Sequence, residues 1–266
     1  AACIVGIFVK VPAVIQIPLC LIAAAAAGGL WSMIVAVLKV KRGINEVLSF
    51  IMFNWIAFYL SNYAVNIPAI HTDGNSEATK DIMDSAKMLI TYESLTEVMG
   101  SGASYNILIA VIAAVIIAFI LNRTTLGYKL KAVGFNRHAA EYGGINANKE
   151  IMTAMSISGA LAGLGGACQL MGMGMRISQF AGQEGFGFQG ITVALIGSTN
   201  PVGCIFAGLF YGAMKYGGTK LSLVNTPAEI VNIIMGTIIF FIAISHVFKR
   251  IILSHTGKKE AKGGTK

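Results

Sequence analysis

The stretch VIQIPLCLIAAAAAGGLWSMIVAVL, residues 14–38, decides the fold class, because it contains no charged side chain. A helix needs about 20 consecutive apolar residues to cross the roughly 30 Å hydrocarbon layer of a bilayer. Residues 14–38 meet that length, and the basic residues Lys39, Lys41 and Arg42 follow at once. The stretch therefore predicts a membrane-spanning helix that ends at a basic interface.

The composition of the whole chain agrees with a membrane protein. Of its 266 residues, 55% are hydrophobic and 12% are charged, whereas a soluble domain has roughly 25% charged residues. This is too little charge to cover a surface that faces water, so much of the apolar surface must face lipid. We therefore exclude a soluble globular enzyme and predict an all-α, polytopic membrane helical bundle that forms a single domain, residues 1–266.

Five segments are apolar over the length of a complete span. They are residues 14–38, 46–65, 104–122, 150–171 and 227–248. Residues 1–9 resemble the tail of a further span, followed by Lys10 and Pro12. We therefore expect the chain to be truncated at its N-terminus.

The distribution of Lys and Arg predicts the orientation, because short loops rich in these residues stay in the cytoplasm. Fourteen of the 20 basic residues fall into three clusters. These are Lys39, Lys41 and Arg42; Arg123, Lys129, Lys131, Arg137 and Lys149; and Lys249, Arg250, Lys258, Lys259, Lys262 and Lys266. Residues 123–149 are thus predicted to be a cytoplasmic loop and residues 249–266 a cytoplasmic tail. Residues 66–103, which hold half of the acidic residues, are predicted to be external.

The apolar stretch 187–217 must then enter and leave the membrane on the outer side. The span 150–171 before it ends outside, and the span 227–248 after it must begin outside to place its basic tail in the cytoplasm. It is interrupted by Asn200-Pro201, and proline breaks a helix. We interpret it as a re-entrant hairpin of two half-helices, since about 20 residues are needed per crossing. Two tilted, unusually short crossings that meet at the same turn are the alternative.

Polar side chains inside the spans are candidates for a translocation pathway, because lipid offers them no partner. Asn54 and Ser61 share one face of a helix, since they are seven residues apart. We predict that an uncharged, hydroxyl-rich solute passes along Asn54, Ser61, Gln169, Gln189, Thr192, Asn200 and Asn232. The alternative is that these groups form interhelical hydrogen bonds that hold the bundle together.

The loop RTTLGYKLKAVGFNRHAAEYGGINANK, residues 123–149, is too long and polar for a simple connection. It predicts a short helix over residues 136–142, between Gly134 and Gly143-Gly144. Its middle part resembles the coupling segment of the permease subunits of ABC importers for simple sugars and nucleosides, the ribose/branched-chain amino acid permease-like family. GINEVLSFIMFNWIA at 43–57, SGALAGLGGA at 158–167 and GFQGITVALIGSTNPVG at 187–203 are similar to that family as well.

The resemblance implies a permease that couples to a separate ATPase subunit through the 123–149 loop. It also implies a second permease chain and an external solute-binding protein as partners, in the cytoplasmic membrane. ATP would be used by the ATPase partner, with no cofactor bound by this chain. The residues we expect at the ATPase contact are Gly134, Asn136, Arg137, Ala139, Ala140, Glu141, Gly143 and Ile145.

Other chemistries are poorly supported by the sequence. GAMKYGGT at 212–219 has Gly218 where a phosphate-binding loop requires lysine, and no grouping of acid, base and nucleophile indicates an enzyme, nor does any motif indicate a nucleic-acid partner. A secondary transporter driven by an ion gradient is the alternative function. It needs ionisable groups deep in spans, whereas Glu46, Glu184 and Glu229 lie at predicted ends.

Overall fold

A computed structural model describes residues 1–9, 11–72, 77–88 and 105–221, and beyond these 230, 233, 234, 236–238, 240, 241 and 244. Named helices cover most of the described part up to residue 221, and no strand occurs there, so the all-α prediction is confirmed. In chain order they are α1 (Ala2–Phe8), α2 (Ala13–Arg42), α3 (Glu46–Val65), α4 (Asn106–Arg123), α5 (Thr125–Phe135), α6 (Arg137–Tyr142), α7 (Ala147–Gln169), α8 (Phe186–Ile196) and α9 (Pro201–Leu221).

Within the described residues, four helices are long and apolar enough to span a membrane: α2, α3, α4, and α7 with the π-helical turn Leu170–Gly174 that extends it. The bent pair α8 and α9 adds a fifth if it counts as one span. The polytopic bundle is therefore confirmed. The predicted tail 249–266, most of the span 227–248 and residues 73–76 and 89–104 of the predicted external loop lie outside the described residues.

A tight turn joins α2 to α3. Helix α2 ends at Gly43, whose φ of 65° is in the left-handed region that glycine adopts at little cost. Asn45 then caps α3, its Oδ1 accepting a hydrogen bond of 2.9 Å from the amide of Val47. An ion pair of 2.8 Å between Lys39 and Glu46 closes the turn. The basic residues that follow the first predicted span are thus the last turn of α2, which extends one turn beyond residue 38.

Helices α2 and α7 form the main packing interface of the first part of the chain, and they run antiparallel. Gly163 of α7 lies against the backbone of Ala24, and Gly159 lies against Gly28 and Ser32. A Cβ at either glycine of α7 would collide with α2. Small residues therefore allow a close approach of the two helices, as is common between membrane helices.

The segment 77–88 folds over one end of this pair. Its backbone amides donate to the chain that follows α7, from Thr79 to Ile177 O (2.9 Å) and from Ile82 to Met175 O (2.9 Å). Ile82 is buried in a cluster of apolar residues from α1, α2 and the π-helical turn. Buried Gln16 of α2 accepts a hydrogen bond from Ser85. This part of the predicted external loop is consequently fixed to the helices by backbone and side-chain contacts.

The antiparallel arrangement separates the two predicted sides of the membrane. The C-terminal end of α2, which carries the basic cluster, lies at the end of α7 that begins at Ala147, because Ser32 bonds to Met155 and Ala24 contacts Gly163. Helices α5 and α6 precede that same end. Segment 77–88 bonds to the opposite end of α7, beyond Gln169. The predicted cytoplasmic and external segments are thus at opposite ends of one helix, as the charge distribution requires.

The chain divides into two units, Ala1–Gln183 and Glu184–Lys266. In the second, the chain turns through 119° between α8 and α9, so the predicted break at Asn200-Pro201 is present. The turn is tight because the backbones of Gly197 and Gly203 are in contact. The arms are unequal: α8 has 11 residues, but α9 has 21 and continues to Leu221. The second arm therefore extends four residues beyond residue 217, the predicted end of the hairpin.

Candidate coupling loop and solute pathway

The loop between α4 and α7 is an ordered pair of short helices. Thr124 caps α5, its hydroxyl accepting from the amide of Gly127 (3.2 Å) and donating to Ile120 O (2.6 Å). Gly127 lies against the backbone of Ile120 and Leu121, where a Cβ would collide. This close approach folds α5 back directly against the end of α4.

Helix α6 is defined at both ends by local capping interactions. Asn136 ends α5 in an extended conformation, and its Oδ1 accepts from the amide of Ala139 (3.1 Å). After Tyr142 the chain reverses through Gly144, whose φ is 79°, and Ile145 donates its amide to Ala140 O (3.0 Å). The helix predicted over residues 136–142 is confirmed with the bounds Arg137–Tyr142.

Arg137 links α6 to the first turn of α7. Its Nε donates to Glu141 (3.2 Å) and its Nη2 donates to Asn148 (2.8 Å). The ion pair is about half exposed, so it adds little to stability. The planar guanidinium nevertheless fixes α6 relative to the start of α7, because it binds Glu141 and Asn148 at the same time. The two charged residues expected to flank an ATPase contact are therefore paired with each other.

The predicted ATPase-contact residues differ in exposure. Ala140 is buried, with 5% of its surface exposed, and Ile145 is half-buried. Ala140 is therefore covered by the fold, whereas Ile145 is partly accessible. The remaining predicted contact residues are exposed: Gly134, Asn136, Arg137, Ala139, Glu141 and Gly143.

Two aromatic residues of this loop were missed by sequence reasoning. Phe135 and Tyr142 flank α6, and 89% and 95% of their surfaces are exposed. The signal was available, since large aromatic side chains in an otherwise polar segment are typical of an interface. They give the loop a prominent apolar surface at the end of α7 that begins at Ala147.

Of the predicted pathway residues, Asn54 and Ser61 lie on α3. The amide of Asn54 donates to Gln183 Oε1 (3.0 Å), and Ser61 is half-buried. Gln169 is exposed at the end of α7. Asn54 is thus paired with the segment that follows α7, as the alternative interpretation expects for a residue that holds the fold together.

Further polar residues on α3 continue this contact and were not predicted. Asn62 forms two hydrogen bonds of 3.0 Å with the backbone of Phe180, donating to its carbonyl and accepting from its amide. Asn66 accepts from Gln179 Nε2 (2.8 Å). With Asn54 they form what we call the asparagine stripe, Asn54, Asn62 and Asn66, which holds the segment 179–183. The four-residue spacing of Asn62 and Asn66, which places these two on one side of a helix, was the available signal.

The remaining pathway candidates lie in the second unit, apart from Asn232, which is outside the described residues. Gln189 of α8 accepts a hydrogen bond of 3.0 Å from Lys215. Buried Thr192 donates to its own helix at Phe188 O (3.2 Å). Asn200 caps α9, because its Oδ1 accepts from the amide of Val202 (3.0 Å). Asn200 and Thr192 therefore have structural partners within the hairpin.

Within the described part of the chain, no group of three His, Cys, Asp or Glu side chains could hold a metal ion. In the segment 77–88, a hydrogen bond from Lys87 lowers the pKa of the Asp84 carboxyl. The same bond raises the pKa of the Lys87 ammonium. Asp84 and Lys87 thus form a local pair.

Comparison with known proteins gives matches over almost the whole chain. The family model described as "Branched-chain amino acid transport system / permease component" matches residues 1–243. The guanosine ABC transporter permease protein NupP of Bacillus subtilis is 40% identical over 99% of this chain and 74% of its own length. The nucleoside ABC transporter permease protein NupB of Lactococcus lactis is 35% identical, over 91% of this chain and 67% of its own length.

A sugar transporter is similar too. The glucose ABC transporter permease protein TsgB13 of Haloferax volcanii is 31% identical, over 92% of this chain and 66% of its own length. No solved structure matches.

Proposed function

The chain belongs to the permease components of the branched-chain amino acid transport system family, and on that premise we propose that it forms the pathway by which an ABC importer takes up nucleosides. The family resemblance inferred from the coupling loop is confirmed. The chain is a multi-pass membrane protein of a transporter family. The proposed location is the cytoplasmic membrane, and the proposed source of energy is ATP hydrolysed by a separate subunit.

Nucleosides are preferred over simple sugars because of the relatives. The guanosine and nucleoside permeases are 40% and 35% identical to this chain, and the glucose permease is 31% identical. A neutral solute also agrees with the predicted polar lining, which consists of amides and hydroxyls. Simple sugars are the second substrate class, supported by the glucose permease.

The observation that carries the proposal is the position of α6 and its hydrogen bonds to the neighbouring segments of the chain. It lies at the end of α7 next to the basic end of α2, and Asn136 caps it. Arg137 ties it to Asn148 at the start of α7. A partner that moved α6 would therefore move α7 with it. Phe135 and Tyr142, exposed beside it, are the proposed anchors for the groove of an ATPase.

Helix α7 gives this movement a route to the other end of the bundle. Its far end continues through the π-helical turn Leu170–Gly174 into the segment 175–183. That segment is bonded on one side to residues 77–88 and on the other to the asparagine stripe of α3. We propose that ATP-driven movement of α6 reaches the external face through this continuous set of contacts.

The proposed assembly contains two permease chains, two ATPase subunits and an external solute-binding protein. Residues 187–217 would contribute the re-entrant hairpin to the pathway, with its break at Asn200-Pro201. An irregular backbone at membrane depth is tolerated where protein or a water-filled cavity satisfies its polar groups. The hydrogen bonds of Asn200 with nearby backbone groups of the protein satisfy polar groups at the break in this way.

The test is reconstitution of the complete importer in vesicles. The ATPase subunit should copurify with the permease, and uptake of labelled guanosine should require ATP on the side that bears α6. Uptake that proceeds without an ATPase and follows an ion gradient would contradict the proposal and favour a secondary transporter. Uptake of glucose without uptake of nucleosides would assign the sugar class.

A further inference from the structure

Lys215 is a charged residue well inside an apolar helix. It precedes Leu221, the C-terminal end of α9, by six residues, about 9 Å along the axis. A lysine at the centre of a bilayer costs roughly 2.5–3.5 kcal/mol on insertion scales, and such residues face protein or a water-filled cavity. Neither the coupling proposal nor the predicted pathway accounts for this side chain.

The structure shows where the ammonium is held. Lys215 Nζ donates to Oε1 of Gln189 on α8, at 3.0 Å, and lies 5.8 Å from the ring centroid of Phe186. Phe186 and Gln189 are three residues apart, so they share one face of α8. The side chain of Lys215 therefore bridges the two arms of the hairpin.

The two helix faces on either side of this bridge leave room between them. Gly208, Gly212 and Lys215 follow one face of α9, because they are four and three residues apart. Nearer the turn the arms touch, since Val193 lies 3.8 Å from the position of a Cβ on Gly208. A Cβ on Gly212 would meet no atom within 4 Å. Open space therefore lies beside Gly212, between the contact at Gly208 and the bridge at Lys215.

The chemistry of these groups fits a flat ring that carries hydrogen-bond acceptors. The ring of Phe186 is 50% exposed and offers a stacking surface. An ammonium has three donors, and Gln189 accepts from one of them. The others suit two adjacent acceptors, as on the O6 and N7 edge of guanine, which lysine contacts in nucleic acids. Adenine has a donor amino group in place of O6.

We propose that Lys215, Gln189 and Phe186 form a base-recognition subsite for 6-oxopurine nucleosides. This inference rests on the proposed nucleoside transport and adds the selectivity for the base. In the absence of solute, Gln189 accepts from one of the three donors of the ammonium. An entering base takes Gln189's place at one donor or occupies the other two, so the ammonium keeps a partner throughout, and binding stays weak enough for release.

The test uses the complete importer in vesicles, with labelled guanosine competed by inosine, adenosine or ribose. The selectivity is the ratio of kcat/KM for guanosine to that for adenosine. We expect Lys215→Met to lower this ratio about tenfold, the size of one lost bidentate base contact. Lys215→Arg should retain most of it. Phe186→Leu should raise KM for both nucleosides without a change in the ratio.

Lys220→Met is the matched control, because Lys220 lies on the same helix over the ring of Tyr216, 5.4 Å from its centroid. It should leave the ratio unchanged. If Lys215→Met fails to accumulate, Gln189→Glu replaces it: the carboxylate would hold the ammonium in an ion pair and lower the same ratio.

An unchanged guanosine-to-adenosine ratio in Lys215→Met, or an equal loss of transport for both nucleosides, would overturn the subsite. Either result leaves the proposed function intact if the unaltered importer takes up guanosine. Failure of the unaltered importer to transport any nucleoside would refute the proposed function itself, and the two failures are therefore distinguishable.

Discussion

Replacement of Phe135 and Tyr142 by alanine tests whether the α6 region is the contact for an ATPase. Both side chains are almost fully exposed, at 89% and 95%, so their removal takes no contact away from the fold. Surface substitutions of this kind change stability by about 0.5 kcal/mol or less. A large effect of the double variant would therefore come from a partner.

The magnitude follows from the area that a partner would cover. Burial of a large apolar side chain contributes roughly 1.5–3 kcal/mol. Two such anchors contribute at least about 3 kcal/mol, which corresponds to a roughly 150-fold change in Kd. We expect the double variant to bind the ATPase subunit at least that much more weakly, and ATP-dependent guanosine uptake to fall in parallel.

The assay is a titration of the ATPase subunit against the permease in nanodiscs, followed by uptake in vesicles. Tyr105→Ala is the matched control. That ring is 51% exposed and precedes α4 at the opposite end of the bundle, next to Met88. A Kd for the double variant within threefold of the original, or an equal loss in the control, would refute the reasoning.

Three further predictions concern contacts within the first unit. Arg137→Glu should abolish uptake while basal ATP hydrolysis in the assembly continues, because α6 loses its link to α7; full coupling in this variant would contradict that role. Asn62→Leu removes two hydrogen bonds of about 1 kcal/mol each, and hydrogen exchange at the amide of Phe180 should accelerate at least about tenfold; unchanged protection would dismiss the stripe as an anchor. Gly163→Val should destabilise the protein by roughly 1–3 kcal/mol through overpacking, measured by denaturant titration, whereas Gly165→Val, with no atom within 4 Å of its Cβ position, should have less effect; equal losses would argue against close packing.

The coupling loop illustrates how much the sequence can predict about the candidate site. Asn136 and the glycines at 143 and 144 delimit α6, and local capping rules predict such boundaries without knowledge of the fold. Gly134, the predicted N-terminal boundary, lies instead inside α5. The burial of Ala140 and the bond from Arg137 to Asn148 were not predictable in this way. They depend on how α6 folds back against α7, and the exposed direction of a six-residue helix is not encoded in its spacing.

The polar residues of α3 show what could not be predicted from the sequence. Asn54 was interpreted as a pathway residue, and it pairs with Gln183, 129 residues away. Asn62 contacts Phe180 over 118 residues. A polar residue in an apolar helix must find a partner, but its identity depends on which distant segment lies beside it. The sequence therefore identified polar residues on α3, but it did not distinguish residues that line a pathway from residues that hold a distant segment in place.

The sequence by itself determined that this chain is an all-α membrane protein whose 123–149 loop resembles the coupling segment of a permease family. These predictions rest on the length of apolar segments, on the placement of basic residues and on glycine or proline at helix ends. Each of these signals is local in the chain, so it can be recognised without knowledge of the tertiary structure. Only the tertiary structure decided which groups meet: the antiparallel pairing of α2 and α7, the anchoring of segment 175–183 between α3 and residues 77–88, and the bridge from Lys215 to Gln189. Such contacts depend on helices packed side by side, and nothing in a local pattern specifies the neighbour.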